Sequence, residues 1–431
     1  MSLLIKKASL LTAELAVPQV SDVLIDDERI SEIADEILAP GATTIDAAGK
    51  LLVPGLVDAH VHFREPGQEY KEDLHTGSSA AAVGGFTTVI AEPNTVPPID
   101  TPLRLGRLLN TAEKKSIVNF YSKSAITKGT MGYTLTSIAR LKEAGARAIS
   151  DDGNPVPSRR LMRNALLRSK ECGILISPHC EESALYRQRI LSSCPQMPYA
   201  PPDANPYSSE AGFIQRDIEL AEETGARLHL SHVSLARSVE IIANAKRRGV
   251  NVTAEATPQH LLLTEKMAKE IGPNAKVNPP LRSEEDVEAL RAGLAKGTID
   301  IIASDHAPHS PEEKSRPWDQ APFGVIGLET TLGLVLTYLV QTGILTLNQA
   351  IEKMTVMPAK IFGLDVMGVG CLRPGAKADV TLIDLEKKWK VDVNSFHSKG
   401  RNCPFNGWEL QGKAILTIVA GRVVAKDGKV I

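Results

Sequence analysis

His60 and His62, separated by one residue, close the apolar run LVDAHVH. In an extended strand residues two apart share a face, so both imidazoles can grip one ion. Further candidate ligands end other apolar runs: His179 in SPHCE, His232 in LSHVS and Asp305 in ASDHAPH. A lone histidine in a strand is ordinarily structural, whereas a repeated placement at the ends of separate runs is what a shared ion requires. The set carries no thiolate and exceeds what one tetrahedral structural zinc needs, which points to a hydrolytic centre with two metals. Such a centre makes a nucleophile from water at neutral pH and polarises a carbonyl. A bridging carboxylate is offered by the SDDG turn, where Asp151 and Asp152 point to opposite faces if the strand persists. Only one of the two can serve, and periodicity does not choose between them.

The remaining histidines lack such company. His229 lies three residues before His232, on the opposite strand face, and reads as a core or interface residue. His306 should point away from its neighbour Asp305 and act at most behind the ligands. His75, His260 and His397 read as structural. Five cysteines, Cys172, Cys180, Cys194, Cys371 and Cys403, are odd in number and widely spaced, so reduced thiols are expected. Cys180 follows His179 directly and is assigned to packing.

Ligands at strand ends need a scaffold that gathers those ends. Eight short apolar or β-branched runs recur, at 56–62, 86–94, 117–127, 146–153, 173–181, 227–234, 251–258 and 300–309, with amphipathic stretches between most of them, many ending at glycine. That alternation predicts an α/β fold, a (β/α)8 TIM-like barrel with its site at the C-terminal ends of the strands. Both ends of the chain instead carry short β-like segments broken by Gly, Pro and Asp, among them ADVTLIDL and AILTIVAGRVV. We expect residues 1–53 and 365–431 to form one small β-rich domain, with the barrel spanning 54–364 between them. A length of 431 residues accommodates both.

Apolar residues at 43% and charged residues at 23% fit a globular protein and exclude a disordered or fibrous chain. A net charge of -2 argues against nucleic acid or an anionic membrane as partner. No export signal and no apolar run of roughly 18 residues is read, so the expected compartment is the cytoplasm. Residues 310–321, SPEEKSRPWDQA, read as a polar loop over the site, of the kind that gates water.

The run VPGLVDAHVHFREPG, followed in order by GGFTTVIAEPN, SDDG, HCE, SHVS, NPPLR and SDHAPH, resembles the motif series of class I dihydroorotases, and GAKADVTLIDL resembles the C-terminal β-domain of amidohydrolases generally. The resemblance implies a zinc-dependent cyclic amidohydrolase that interconverts N-carbamoyl-L-aspartate and (S)-dihydroorotate in pyrimidine biosynthesis. It favours Asp152 as the carboxylate shared by two Zn2+ ions together with a hydroxide. His60, His62 and Asp305 would hold the first ion, and His179 and His232 the second. Asp305 would also be the catalytic proton carrier. Arg64, Asn94 and His309 would bind the substrate carboxylate, with His62, Asn278 and the Phe323–Gly324 backbone as further substrate contacts. In hydantoinases and dihydropyrimidinases a carboxylated lysine bridges the metals from the equivalent strand, and ARAISDDG has none. The rivals are therefore another cyclic-amide hydrolase, such as an allantoinase or dihydropyrimidinase, or a silent scaffold for aspartate transcarbamoylase. Every expected ligand is present, which disfavours the scaffold; an active chain can still bind that partner or form a homo-oligomer.

Overall fold

The computed structural model describes residues 2–12, 17–181 and 210–431. The chain begins in a sheet: β1 (Ser2–Leu10), β2 (Gln19–Asp26), β3 (Arg29–Ala34), β4 (Thr43–Asp46) and β5 (Leu51–Pro54). It then passes into eight barrel strands, β6 (Leu56–Val61), β7 (Phe86–Ala91), β8 (Asn119–Ser122), β9 (Ala148–Ile149), β10 (Leu175–Ile176), β11 (Leu228–Leu230), β12 (Val252–Ala256) and β13 (Ile301–Ile302). β14 (Val380–Lys390), β15 (Glu409–Val419), β16 (Arg422–Lys426) and β17 (Lys429–Val430) return to the first sheet.

Each barrel strand falls inside one of the eight runs expected from the sequence. Strands β6 to β8 pair in parallel as one arc and β9 to β13 as another. Isolated parallel bridges, Ser124 to Ile149 and Val61 to His306, close the two seams into a ring. β6 and β7 are buried at every position, because such strands are covered on both faces. Several strands are shorter than their runs; β10 spans only Leu175–Ile176. Beyond it the Ser177 N–H still reaches the Ile149 carbonyl (2.8 Å) before the chain arrives at His179 on the cavity.

The outer helices carry ordinary start and stop chemistry. Asp73 and Thr76 form a capping box for Leu74–Val83, Ser283 and Asp286 another for Glu284–Ala295. Ser158 caps Arg159–Cys172, and Gly173 ends that helix at a φ of 66°. One expectation needs correction: 310–321 is not all loop, since Pro311–Lys314 is a helical turn started by a Ser310–Glu313 capping box. Lys276 Nζ donates to the carbonyls of Trp318 (2.5 Å) and Ala321 (2.6 Å), tying the rest of the segment to the barrel.

Strands from both ends share one sheet in the order β17-β16-β15-β14-β5-β1-β2-β3, with β4 parallel to β1. The seam between early and late strands is the antiparallel pair β5–β14, from Val380 opposite Pro54 to Ile383 opposite Leu51. Alternating residues on one face, including Ile5, Val23, Ile25, Leu52, Leu382 and Ile418, build its core. The sheet docks on the barrel where Thr417 Oγ1 donates to the Ala82 carbonyl (2.7 Å) and Thr381 Oγ1 to that of Gly85 (2.6 Å). A Cβ on Gly85 would lie 2.9 Å from the Thr381 side chain, so this approach requires glycine. Among the described residues no helix is long and apolar enough to cross a membrane. Cys172, Cys180, Cys371 and Cys403 are free thiols, Cys180 buried in packing as expected; Cys194 lies outside the described residues.

Candidate metal centre and substrate pocket

The six candidate ligands come from five strands and meet at their C-terminal ends. His60 is the penultimate residue of β6 and His62 follows that strand; Asp152 follows β9, His179 β10, His232 β11 and Asp305 β13. Asp152 sits at the centre. Its Oδ1 lies 3.5 Å from His60 Nε2, 3.4 Å from His232 Nε2 and 3.6 Å from His179 Nδ1, while its Oδ2 is 3.6 Å from His62 Nε2. Asp305 Oδ1 is 3.1 Å from His62 Nε2 and 3.6 Å from His60 Nε2. Two groups of potential ligand atoms result, His60–His62–Asp305 and His60–Asp152–His232, and His179 joins the second with Nδ1 3.0 Å from His232 Nε2.

The donor set fits a metal by its own polar accounting. His60 Nε2 and Asp152 Oδ1 are buried without a hydrogen-bond partner, and an orphaned donor atom at that depth is costly unless an ion satisfies it. Burial would push the Asp152 carboxyl up, but His179, His232 and His60 hold it well below the usual carboxylate range. Asp305 behaves alike: burial raises it, and His62, with help from His60 and His232, brings it below its ordinary value. Both are therefore ionised at neutral pH, as ligands must be.

The structure resolves the ambiguity in SDDG. Asp151 turns away, accepting the Thr127 backbone N–H at 3.0 Å and the Thr127 hydroxyl, whereas Asp152 faces the imidazoles. His306 also points away, its Nε2 3.3 Å from Glu72, as expected. His260 is satisfied by Thr257 and the Pro279 carbonyl, His397 by the Gly428 carbonyl, and His75 is exposed.

A cavity of about 170 Å³ opens on this cluster, with His62, Asp152, His179, His232 and Asp305 on one side. Arg64, Asn94, Asn278, His309, Phe323 and Gly324 line it elsewhere, so every expected substrate contact reaches the same space. His60 lies beneath, fully buried. Arg64 Nη2 is 3.3 Å from His309 Nε2, and Arg64 Nε donates to the Pro308 carbonyl at 3.2 Å. His309 Nε2 donates to the Phe323 carbonyl (2.7 Å), while its Nδ1 faces Lys71 Nζ at 3.5 Å. Burial, then the charges of Arg64, Lys71 and Lys314, keep that imidazole neutral. Asn94 holds the ligands as well as lining the pocket: its Oδ1 accepts from His62 Nδ1 (2.9 Å) and its Nδ2 donates to Asp152 Oδ2 (3.0 Å).

Three charged residues at the barrel floor escaped sequence reasoning. Glu92, Lys123 and Glu255 are fully buried or nearly so. Glu92 pairs with Lys123 and brings its Oε1 within 3.7 Å of His60 Nε2; Lys123 also donates to Ser177 Oγ (3.1 Å) and lies 5.3 Å over the Phe362 ring. Glu255 bonds His60 Nδ1. The available signal was a charged residue inside each of the apolar runs FTTVIAEPN, IVNFYSKSAIT and NVTAEATP, where an unpaired charge would be prohibitive.

Residues 51–424 match the Amidohydrolase family. A dihydroorotase of Pelotomaculum thermopropionicum is 46% identical over 427 residues, covering 99% of both chains. One from Citrifermentans bemidjiense is 45% identical over 98% of this chain and 99% of its own. Among solved structures, the L-hydantoinase (dihydropyrimidinase) of Arthrobacter aurescens superposes with a TM-score of 0.90 at 31% identity, covering 100% of this chain and 97% of that one.

Proposed function

The chain belongs to the amidohydrolase family and within it to the dihydroorotases, and from that premise we propose that it closes N-carbamoyl-L-aspartate to (S)-dihydroorotate and water, reversibly, at a two-zinc centre. The observation that carries the reading is that six metal-ligand candidates gather at one cavity beside a half-buried arginine, Arg64, and a buried histidine, His309. His60, His62 and Asp305 would hold one ion, His179 and His232 the other, and Asp152 both. When bound, the metals supply Lewis acidity, activating water and polarising the ring amide carbonyl.

The chain's own residues do the rest. Arg64 offers its guanidinium to the substrate carboxylate, with Asn94 and His309 beside it, and so fixes which amide carbonyl faces the ligands. His62, Asn278 and the Phe323–Gly324 backbone bound the ring. Asp305, ionised at rest, takes a proton as water adds to the carbonyl and delivers it to the departing nitrogen; ring closure reverses the transfer. The same reading places the protein in the cytoplasm of a pyrimidine-synthesising cell. It makes a homo-oligomer and an aspartate transcarbamoylase complex worth testing by sedimentation.

The deciding assay follows ring opening of L-dihydroorotate and closure of N-carbamoyl-L-aspartate, with zinc counted on the same sample and hydantoin and dihydrouracil as controls. Turnover of the carboxylated pair alone is expected. Turnover of only the uncharged rings would move the assignment to the hydantoinase side of the family, and inactivity of a fully metallated sample would favour the scaffold.

A further inference from the structure

Glu255, on β12, belongs to none of the roles above. Its Oε1 accepts from His60 Nδ1 at 2.5 Å and from the His232 backbone N–H at 3.2 Å, and its Oε2 lies 3.0 Å from His229 Nε2. His229 is anchored in turn by Thr253 Oγ1 (2.8 Å) and packs edge-on against Phe362, with ring centroids 5.3 Å apart. The carboxylate is completely enclosed. A bare charge there would be expelled or neutralised, and an apolar side chain of similar volume would pack at least as well. What the carboxylate does that an apolar residue cannot is aim two ligands.

His60 presents Nε2 to Asp152 and Asp305 only if its proton sits on Nδ1, and Glu255 is the acceptor that keeps it there. His232 holds a left-handed backbone, φ 32°, which an L-residue adopts only when its surroundings impose it. The N–H of that residue ends on the same Glu255 oxygen. One carboxylate oxygen thus touches a ligand from each proposed metal position. His62 receives the neutral amide of Asn94 at the corresponding place, and His179 Nε2 faces the Asn278 amide at 3.1 Å.

We propose that Glu255 is the positioning residue of the metal centre: it locks His60 in the Nδ1–H tautomer, pins the backbone that presents His232, and is itself held by His229. The proposal rests on the two-metal reading above.

Glu255→Gln keeps the shape and one acceptor but removes the charge, and His229 can reverse its tautomer against the Thr253 hydroxyl to match. In competition with a chromophoric chelator, the zinc affinity of Glu255→Gln should fall by about ten- to a hundredfold, while the melting temperature of the metal-free protein stays within a few degrees. A long-range nitrogen–proton spectrum of the wild-type protein should show the His60 proton on Nδ1, and in Glu255→Gln that resonance should shift. Zinc affinity unchanged within twofold would overturn the proposal. So would a wild-type His60 that carries no proton on Nδ1, a result that stands even if the variant does not fold. If the wild-type protein takes up no zinc, the two-metal reading fails, whereas the presence of the His60 Nδ1 proton on Glu255 in the metal-free protein still judges the hold of that carboxylate.

Discussion

In the terminal sheet, left-handed non-glycine residues sit where local geometry asks for them. Asp27, Ala420 and Asp427 occupy the two-residue connections β2–β3, β15–β16 and β16–β17, and Lys7 marks an irregularity in β1. At the barrel mouth the same backbone conformation appears at Arg64 (φ 60°), the centre of a three-residue turn closed by the Glu65 N–H on the Phe63 carbonyl (2.6 Å), and at His232 (φ 32°) and Asp305 (φ 48°). There it aims a side chain at the cavity. The sheet hides its apolar face and leaves no buried polar atom of its strands without a partner among those described; the mouth leaves His60 Nε2, Asp152 Oδ1 and His232 Nδ1 open. Unusual backbone and unmet polarity thus meet at the candidate metal centre, where an ion can answer His60 Nε2 and Asp152 Oδ1, and the terminal sheet obeys the local rules.

That contrast can be broken most severely at Asp305. Asp305→Asn preserves the shape but not the proton carrier, and kcat should fall about 10³-fold, with thermal unfolding of the metal-free protein little changed. Damage to the sheet should behave in the opposite way. Ile418, fully buried there, on truncation to alanine should lower stability by about 2–5 kcal/mol, read by denaturant unfolding, while turnover per folded, metallated molecule is retained. A large loss of specific activity in Ile418→Ala would mean that the sheet shapes the site after all.

Arg64→Ala should raise KM more than it lowers kcat, by an amount equivalent to about 1.5–3 kcal/mol for a charge-assisted contact. Steady-state kinetics on L-dihydroorotate would expose an equal loss in both, which would move Arg64 from binding to chemistry. The gentlest effect is a slope, at the seam where Glu329 accepts the backbone N–H groups of His397 (2.9 Å) and Ser398 (3.1 Å). Burial pushes this carboxyl up from 4.5 to about 8. The folded state then keeps a proton that the unfolded chain releases, so its contribution is full below pH 4.5 and is lost as pH rises through about 8. Melting curves across that window should show the decline, and Glu329→Gln should flatten it.

Much of the barrel was legible because its information is local. Apolar runs of strand length ending in His or Asp mark the strands and the ends that gather at the cavity, and so the meeting of His60, His62, His179, His232 and Asp305 could be expected from the sequence. The SDDG turn could not be decided from alternation, because the ladder stops at Ile149 and the backbone turns before both aspartates. Glu92, Lys123 and Glu255 were hidden for a related reason. A charge inside an apolar strand is acceptable only if another strand, far away in sequence, neutralises it, and nothing local states the pairing: Glu255 meets His60 across 195 positions.

The amino-acid sequence by itself determined the order of the barrel strands, the residue types at their ends and, through the run of motifs, the family. Periodicity and polarity act over a few residues and survive in any context. Tertiary structure alone decided which aspartate faces the imidazoles, that Asn94 binds His62 as well as lining the pocket, and that one buried carboxylate reaches candidate ligands on two strands. Those are properties of closure: they exist only once the seams at Ser124–Ile149 and Val61–His306 have joined and side chains from distant segments share one enclosed space.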